Sequence, residues 1–260
     1  MMKQVCFNNR GETVFGYAHL PADSTPAPAL ILCHGFTGAC HEGSRLYVDF
    51  AKEAAAHGFY VLRFDFIGSG SSEADFAENT HLSGWVSDLL AAVTFVQNQP
   101  EVDPERIGML GISFGGGTVL TAGIDERIKA VAAWAPVVNG EEVFRGIFTD
   151  EKWDALEKGT VKRIDHQYEG AYFSVTDQFV KDIRAIDIAG NVCNYRNTAL
   201  LLAQGASDAF INPERTKELA ESVSFPVEFH LIEGEEHSFM VHESENIDMT
   251  VSFFERVFKL

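Results

Sequence analysis

The five residues Gly111-Ile112-Ser113-Phe114-Gly115 stand where an apolar run, Arg106 to Leu110, gives way to a small-residue helical stretch, Gly116 to Ala122. A serine in that setting occupies the apex of a sharp strand-to-helix turn, a nucleophile elbow. The flanking glycines let the two backbones pass closely, and the serine Oγ is left exposed. A chain built around such a turn needs a strand end open to solvent and a helix packed back onto the same sheet.

The rest of the sequence supplies that sheet. Short apolar, β-branched runs recur with helical patterns between them: Ala29–Leu32, Tyr60–Phe64, Ile107–Leu110, Ala130–Trp134, Leu200–Leu202 and Val227–Leu231. Strand-helix alternation of this kind predicts a mainly parallel sheet, doubly wound and covered on both faces. Thr13 to Leu20 reads as an added antiparallel strand near the edge. The clearest helix follows Asn79-Thr80, where Leu82, Trp85, Val86, Leu89, Leu90, Val93 and Val96 repeat at helical spacing and turn one stripe to the sheet.

After Trp134-Ala135-Pro136 the alternation stops for about sixty residues. Residues 137–197 are rich in charges and aromatics, with helical fragments and no clear strand, and are expected to form a helical cap inserted in a single domain of residues 1–260. Periodicity resumes at Ala199. The cap carries Glu141, Glu142, Asp150, Glu151, Lys152, Asp154, Glu157 and Lys158, a density of charge that favours soluble substrates over a lipid interface.

Composition narrows the partners. Acidic residues outnumber basic ones 38 to 20, a net charge of −18, which repels phosphate backbones and anionic headgroups, so neither nucleic acid nor a membrane surface is expected as partner. Cys6, Cys33, Cys40 and Cys193 form no CxxC pair and no metal-finger spacing, so buried free thiols are expected and no metal site. The first residues lack a leader-like apolar stretch, and no run approaches the roughly 20 residues that span a bilayer, which places the expectation in the cytoplasm. The sequence leaves a homodimer open.

A serine is a poor nucleophile at neutral pH and needs a base and an orienting carboxylate. Asp208 follows the Leu200–Leu202 strand and His237 follows the strand ending at Leu231-Ile232, so both stand beyond strand carboxyl ends, on the rim where such sheets build sites. His242 is the nearby rival base and Asp187 the rival acid, but Asp187 lies in the trailing end of the cap. Acyl transfer also calls for two donors at the developing oxyanion, and the backbone N–H groups of Phe114 and of Phe36, in the loop after the Ala29–Leu32 strand, are the candidates. His34 is expected to pack beneath that loop. Phe64 to Ser72 completes no phosphate-binding motif and reads as a turn bordering the rim.

Taken in order, His34-Gly35-Phe36, Asp65 to Ser71, Gly111 to Gly115, Asp208, and Glu236-His237-Ser238-Phe239 resemble the α/β-hydrolase superfamily of serine esterases over nearly the whole chain. Within it, the chain is similar to the bacterial cinnamoyl/feruloyl esterases. The resemblance implies an α/β-hydrolase fold of about eight strands with a helical cap, no cofactor, and hydrolysis of small soluble esters such as hydroxycinnamates through an acyl-enzyme. It also implies that the cap holds the phenolic ring, with Tyr172, Glu141 and Glu142 as candidates. An acyl thioesterase, an aminopeptidase-like hydrolase and a non-enzymatic ligand receptor on the same fold remain the alternatives.

Overall fold

The computed structural model describes residues 1–22, 26–159, 163–165 and 172–260. Strands β1 (Met2–Asn9), β2 (Glu12–His19), β3 (Ala27–Cys33), β4 (Tyr60–Phe64), β5 (Val102–Ile112) and β6 (Ile128–Trp134) precede a two-stranded ribbon, β7 (Arg163–Asp165) with β8 (Tyr172–Ser174). Strands β9 (Ala199–Gly205) and β10 (Val227–Ile232) follow. The main sheet has eight strands in the order β1-β2-β4-β3-β5-β6-β9-β10. From β4 to β10 neighbouring strands pair in parallel, while β1, β2 and β4 pair antiparallel. Every residue of β3 and β4 is buried, which is why these strands read as near-continuous apolar runs rather than alternating ones, interrupted in β4 by Arg63 alone.

Helices α1 (Leu46–Ala56), the single turn α2 (Phe76–Asn79), α3 (Leu82–Gln97) and α4 (Ser113–Ala122) alternate with the first strands. The expected stripe of α3 faces the core through Leu82, Trp85, Leu89, Val93 and Val96. A polar residue interrupts it. Asp88, fully buried, accepts from Arg10 Nε (3.1 Å) and Nη2 (2.9 Å), Asn9 Nδ2 (2.7 Å) and the Ile67 N–H (3.2 Å), which ties the β1–β2 hairpin to α3. Arg10 and Gly11 turn that hairpin at positive φ, 49° and 85°, as a two-residue loop requires. The outer strand β1 is largely exposed and polar, so it lacks the apolar signal that marks the others.

Between β6 and β9 lie α5 (Gly140–Phe148), α6 (Asp150–Glu157), α7 (Asp177–Ala185) and α8 (Ile188–Cys193). After β9 come α9 (Pro213–Ser222) and, beyond β10, α10 (Glu243–Phe258). The segment is therefore not purely helical as expected: β7 and β8 pair antiparallel within it, with Ile164 opposite Phe173. Three-residue strands are too short to leave an alternation readable in sequence.

Phenylalanines fasten these helices to the sheet. The Phe36 ring meets those of Phe114, Phe144, Phe173 and Phe179 at centroid distances of 5.0–6.0 Å. A polar clasp adds direction: Asp182 of α7 accepts from the Ser83 N–H (2.7 Å), His81 Nδ1 (3.0 Å) and Gln178 Nε2 (2.6 Å). Burial opposes ionisation of Asp182, but the hydrogen bonds from His81, Ser83 and Gln178 outweigh it and hold the carboxyl well below the usual range. The unfolded chain protonates this aspartate near about pH 3.9, so the clasp contributes fully above that pH and fades as pH falls towards the folded value. Asp182→Asn is expected to lower unfolding free energy by about 1–3 kcal/mol at pH 7, with the deficit shrinking below about pH 4. Urea unfolding across pH measures it, and a deficit independent of pH would contradict the assignment.

Candidate active site

Ser113 caps β5 and opens α4 with φ 58°, a backbone conformation that side-chain-bearing residues seldom adopt. The flanking glycines are required by packing. A Cβ on Gly111 would run into the Gly115 carbonyl, and one on Gly115 into the carbonyls of Cys33 and His34. The turn thus raises Ser113 Oγ to the rim, where His237 Nε2 lies 3.0 Å away. His237 Nδ1 is 2.8 Å from Asp208 Oδ2. The structure brings these three candidates together from loops 124 and 29 residues apart in sequence.

Asp208 has no exposed side-chain surface. Its Oδ1 accepts from the N–H groups of Phe210 (2.8 Å) and Ile211 (2.9 Å), and Gln204 Nε2 donates to Oδ2 at 3.0 Å. Burial works against ionisation, but His237 and these two N–H groups more than offset it, so the carboxyl is held below the ordinary range and stays charged. Gln204, itself buried, is fixed by Thr216 Oγ1, which donates to its Oε1 at 2.7 Å.

The loop that carries His237 is shaped by a residue that sequence reasoning passed over. Glu235, fully buried, accepts from the N–H groups of Glu236 (3.0 Å), Val241 (3.1 Å) and His242 (2.8 Å) and from Asn246 Nδ2 (2.8 Å). Phe239 closes the same loop by stacking on Trp134 at 5.0 Å. The rival base His242 precedes α10 and lies 3.4 Å from Glu235 through Nδ1, and the rival acid Asp187 caps α8 by accepting from the Gly190 N–H.

On the opposite side, His34 is buried with Nδ1 2.9 Å from the Gly35 carbonyl and Nε2 3.2 Å from the Phe66 N–H. A carbonyl only accepts and an N–H only donates, so the ring is the neutral Nδ1–H tautomer. Burial also lowers its pKa. Glu42 accepts from the Gly35 N–H, and Asp65 accepts from the N–H groups of Cys40 (2.6 Å) and Ser71 (2.9 Å), which braces the loop holding Phe36 against the Phe64–Ser72 turn. A Cβ on Gly35 would sit 3.4 Å from Ser113 Cβ, so this loop passes directly over the serine. Phe114 stands in the first turn of α4, where N–H groups have no helical acceptor.

A cleft of about 730 Å³ opens on Ser113 and His237. Val137, Val143, Phe144, Ile147 and Phe173 give it an apolar wall, with Phe210 beside His237 at 5.2 Å between rings. Of the cap candidates, Glu142 lines the cleft, bound to Arg215 Nε at 2.8 Å and Asn139 Nδ2 at 3.1 Å. Glu141 lies outside the cleft lining, held down to about pKa 2 by Arg184 and Arg145. Tyr172 is 59% exposed and also lies outside it, because successive residues of β8 alternate faces and Phe173 takes the inward one. Among the described residues no group of three or more His, Cys, Asp or Glu side chains is placed to hold a metal ion, and no helix is long and apolar enough to cross a membrane.

Glu235→Gln would replace an acceptor oxygen with an NH2 group facing donors. It is expected to cost about 2 kcal/mol of stability or more and to reduce turnover by loosening His237. Thermal unfolding and turnover of the purified variant test this, and wild-type values for both would contradict the bracing role.

Comparison with known proteins agrees with this architecture. The family model described as "Serine aminopeptidase, S33" matches residues 24–164. Quorum-quenching protein AidA of Acinetobacter baumannii is 31% identical over 137 residues, 52% of this chain and 44% of that protein. Thiohydrolase aneE of Aspergillus aculeatus is 32% identical over 120 residues, 45% of this chain and 36% of that protein. The chain thus spans less than half the length of these curated relatives. Est1E from Butyrivibrio proteoclasticus, solved with ferulic acid bound, superposes with a TM-score of 0.85 at 23% identity, covering 98% of this chain and 100% of that one. GrgF from Penicillium sp. sh18 gives 0.80 at 20% identity and full coverage of both chains. These two likenesses concern the fold. With an eight-stranded, mostly parallel sheet, flanking helices and a family match over more than half its length, the chain belongs to the serine aminopeptidase S33 family of α/β hydrolases.

Proposed function

We propose that the protein is a serine carboxylic ester hydrolase that works through an acyl-enzyme on small esters with an apolar or aromatic acyl group, the hydroxycinnamate type included. The hydrogen-bonded series Ser113–His237–Asp208 at the floor of an apolar cleft carries this reading. Ser113 Oγ attacks the ester carbonyl as His237 Nε2 takes its proton. Asp208 keeps the imidazole oriented and offsets the charge it gains. The N–H groups of Phe36 and Phe114 receive the oxyanion. Collapse of the tetrahedral intermediate breaks the C–O bond and His237 protonates the leaving alcohol. Water then attacks the acyl carbonyl, His237 accepts its proton, and the return of that proton to Ser113 Oγ frees the acid.

The cleft supports this acyl class because Val143, Phe144, Ile147 and Phe173 offer a ring or chain contact rather than charge. An aminopeptidase would need an available carboxylate for the substrate ammonium. Of the acids among the described cleft residues, Asp208 is engaged by His237 and Glu142 by Arg215. Thioesters are the second reading: aneE, a named thiohydrolase, is 32% identical over its aligned part, and the same attack cleaves a C–S bond.

The test compares kcat/KM for methyl ferulate, p-nitrophenyl butyrate and a butyryl thioester. Ser113→Ala is expected to lose on the order of 10⁶ in kcat, as comparable triads do, and Asp208→Asn about 10⁴. Phe173→Ala is expected to lower kcat/KM for ferulate more than for butyrate, whereas Tyr172→Phe leaves their ratio within about twofold, since a wall contact acts on the ring and an outlying hydroxyl does not. Turnover that survives Ser113→Ala would sink the mechanism. A ratio set by Tyr172 would return the cap tyrosine to the phenol.

A further inference from the structure

A separate cavity of about 550 Å³ lies between the end of β2, helix α1 and β4, lined by His19, Leu20, Arg45, Val48, Lys52 and Arg63 among others. No carboxylate occurs in its described lining, in a chain where acidic residues outnumber basic ones 38 to 20. Lys52 is matched at the rim by Asp49, 2.7 Å away. Arg63 is not matched. It is 5% exposed, yet its partners among the described residues are all uncharged.

Those partners are His19 Nε2, which accepts from Nε at 3.1 Å, the Cys40 carbonyl and Sγ, each 3.5 Å from Nη1, and Met2 Sδ, 3.7 Å from Nη2. The Tyr17 ring, 4.4 Å from the guanidinium carbon, covers one face. Burial and the Arg63 charge push the His19 pKa down to about 4, so the imidazole is neutral at pH 7 and accepts from the arginine without bringing a negative charge to it. A guanidinium taken out of water calls for an anion, and its paired N–H edge matches a carboxylate in a bidentate manner.

We propose that this cavity is a binding site for a small aliphatic carboxylate, its head on the Nη edge of Arg63 with Arg45 beside it and its chain along Leu20 and Val48. The site is distinct from the Ser113 cleft and does not depend on the reaction proposed there. The net negative charge of the chain disfavours casual anion binding elsewhere on the surface, which sharpens the selectivity of a cavity lined by cations.

Isothermal titration with sodium hexanoate, against sodium phosphate and sodium chloride at equal ionic strength, tests the site. Saturable hexanoate binding is expected, weakened at least tenfold by Arg45→Glu, which reverses a rim charge, and by Val48→Trp, which fills the chain channel. Phe173→Ala, in the other cleft, should leave that binding component unchanged. Circular dichroism verifies that each variant is folded, and Arg45→Glu, an exposed position, carries the test alone if Val48→Trp is not. Absence of saturable binding, binding indifferent to Arg45→Glu, or phosphate bound as tightly as hexanoate would each overturn the proposal.

Discussion

The cleft depends on how closely three stretches of backbone pass at Ser113. Gly111 abuts Gly115, and Gly115 abuts the carbonyls of Cys33 and His34, so strand β5, helix α4 and the loop after β3 meet with no room for a Cβ. That crowding holds Ser113 at φ 58°, and the strain persists because the surrounding sheet over-determines it. One contact therefore sets two things at once: the height of the serine above the sheet and the close passage of the Gly35 loop over it. The small residues that follow, Gly116 and Gly117, extend the close approach to Pro136 and Val137, where the cap segment begins.

Around this point the rim loops share a second device. Each is organised by a carboxylate that gathers backbone N–H groups: Glu42 for Gly35, Asp65 for Cys40 and Ser71, Asp208 for Phe210 and Ile211, Glu235 for Glu236, Val241 and His242. Loops lack a ladder to satisfy their amides, and one carboxylate accepts several N–H groups at once. Part of the acidic excess of this chain is thus structural. The aromatic cluster centred on Phe36 works alongside it: the Phe36 ring packs on the cap phenylalanines Phe144, Phe173 and Phe179 while the same residue lines the cleft, so cap packing and the loop over Ser113 are coupled through one residue.

The parallel strands and the three residues Ser113, Asp208 and His237 were readable in sequence because each rests on a local signal. These signals are a short apolar, β-branched run, a glycine-flanked serine, and an acid or histidine just past a strand end. β1 was missed because its residues alternate towards solvent with little apolar content, and β7 and β8 because three residues carry no period. Glu235, Asp88 and Gln204 were not legible for another reason: a buried polar residue is recognisable only through partners far away in the chain, such as Asn246, Arg10 and Thr216. Tyr172 and Phe173 show the limit of carrying a cap residue over from a family resemblance, since which neighbour faces the cleft is decided by the register of β8.

The proposed reaction rests on Ser113 being a nucleophile activated by His237. Mass-spectrometric mapping after treatment with a fluorophosphonate tests it directly, because only an activated serine forms a stable adduct at neutral pH. One adduct per chain is expected, on the peptide that contains Ser113, with labelling lost in folded His237→Gln. A folded wild-type protein that remains unlabelled, or one labelled at another serine, would contradict it.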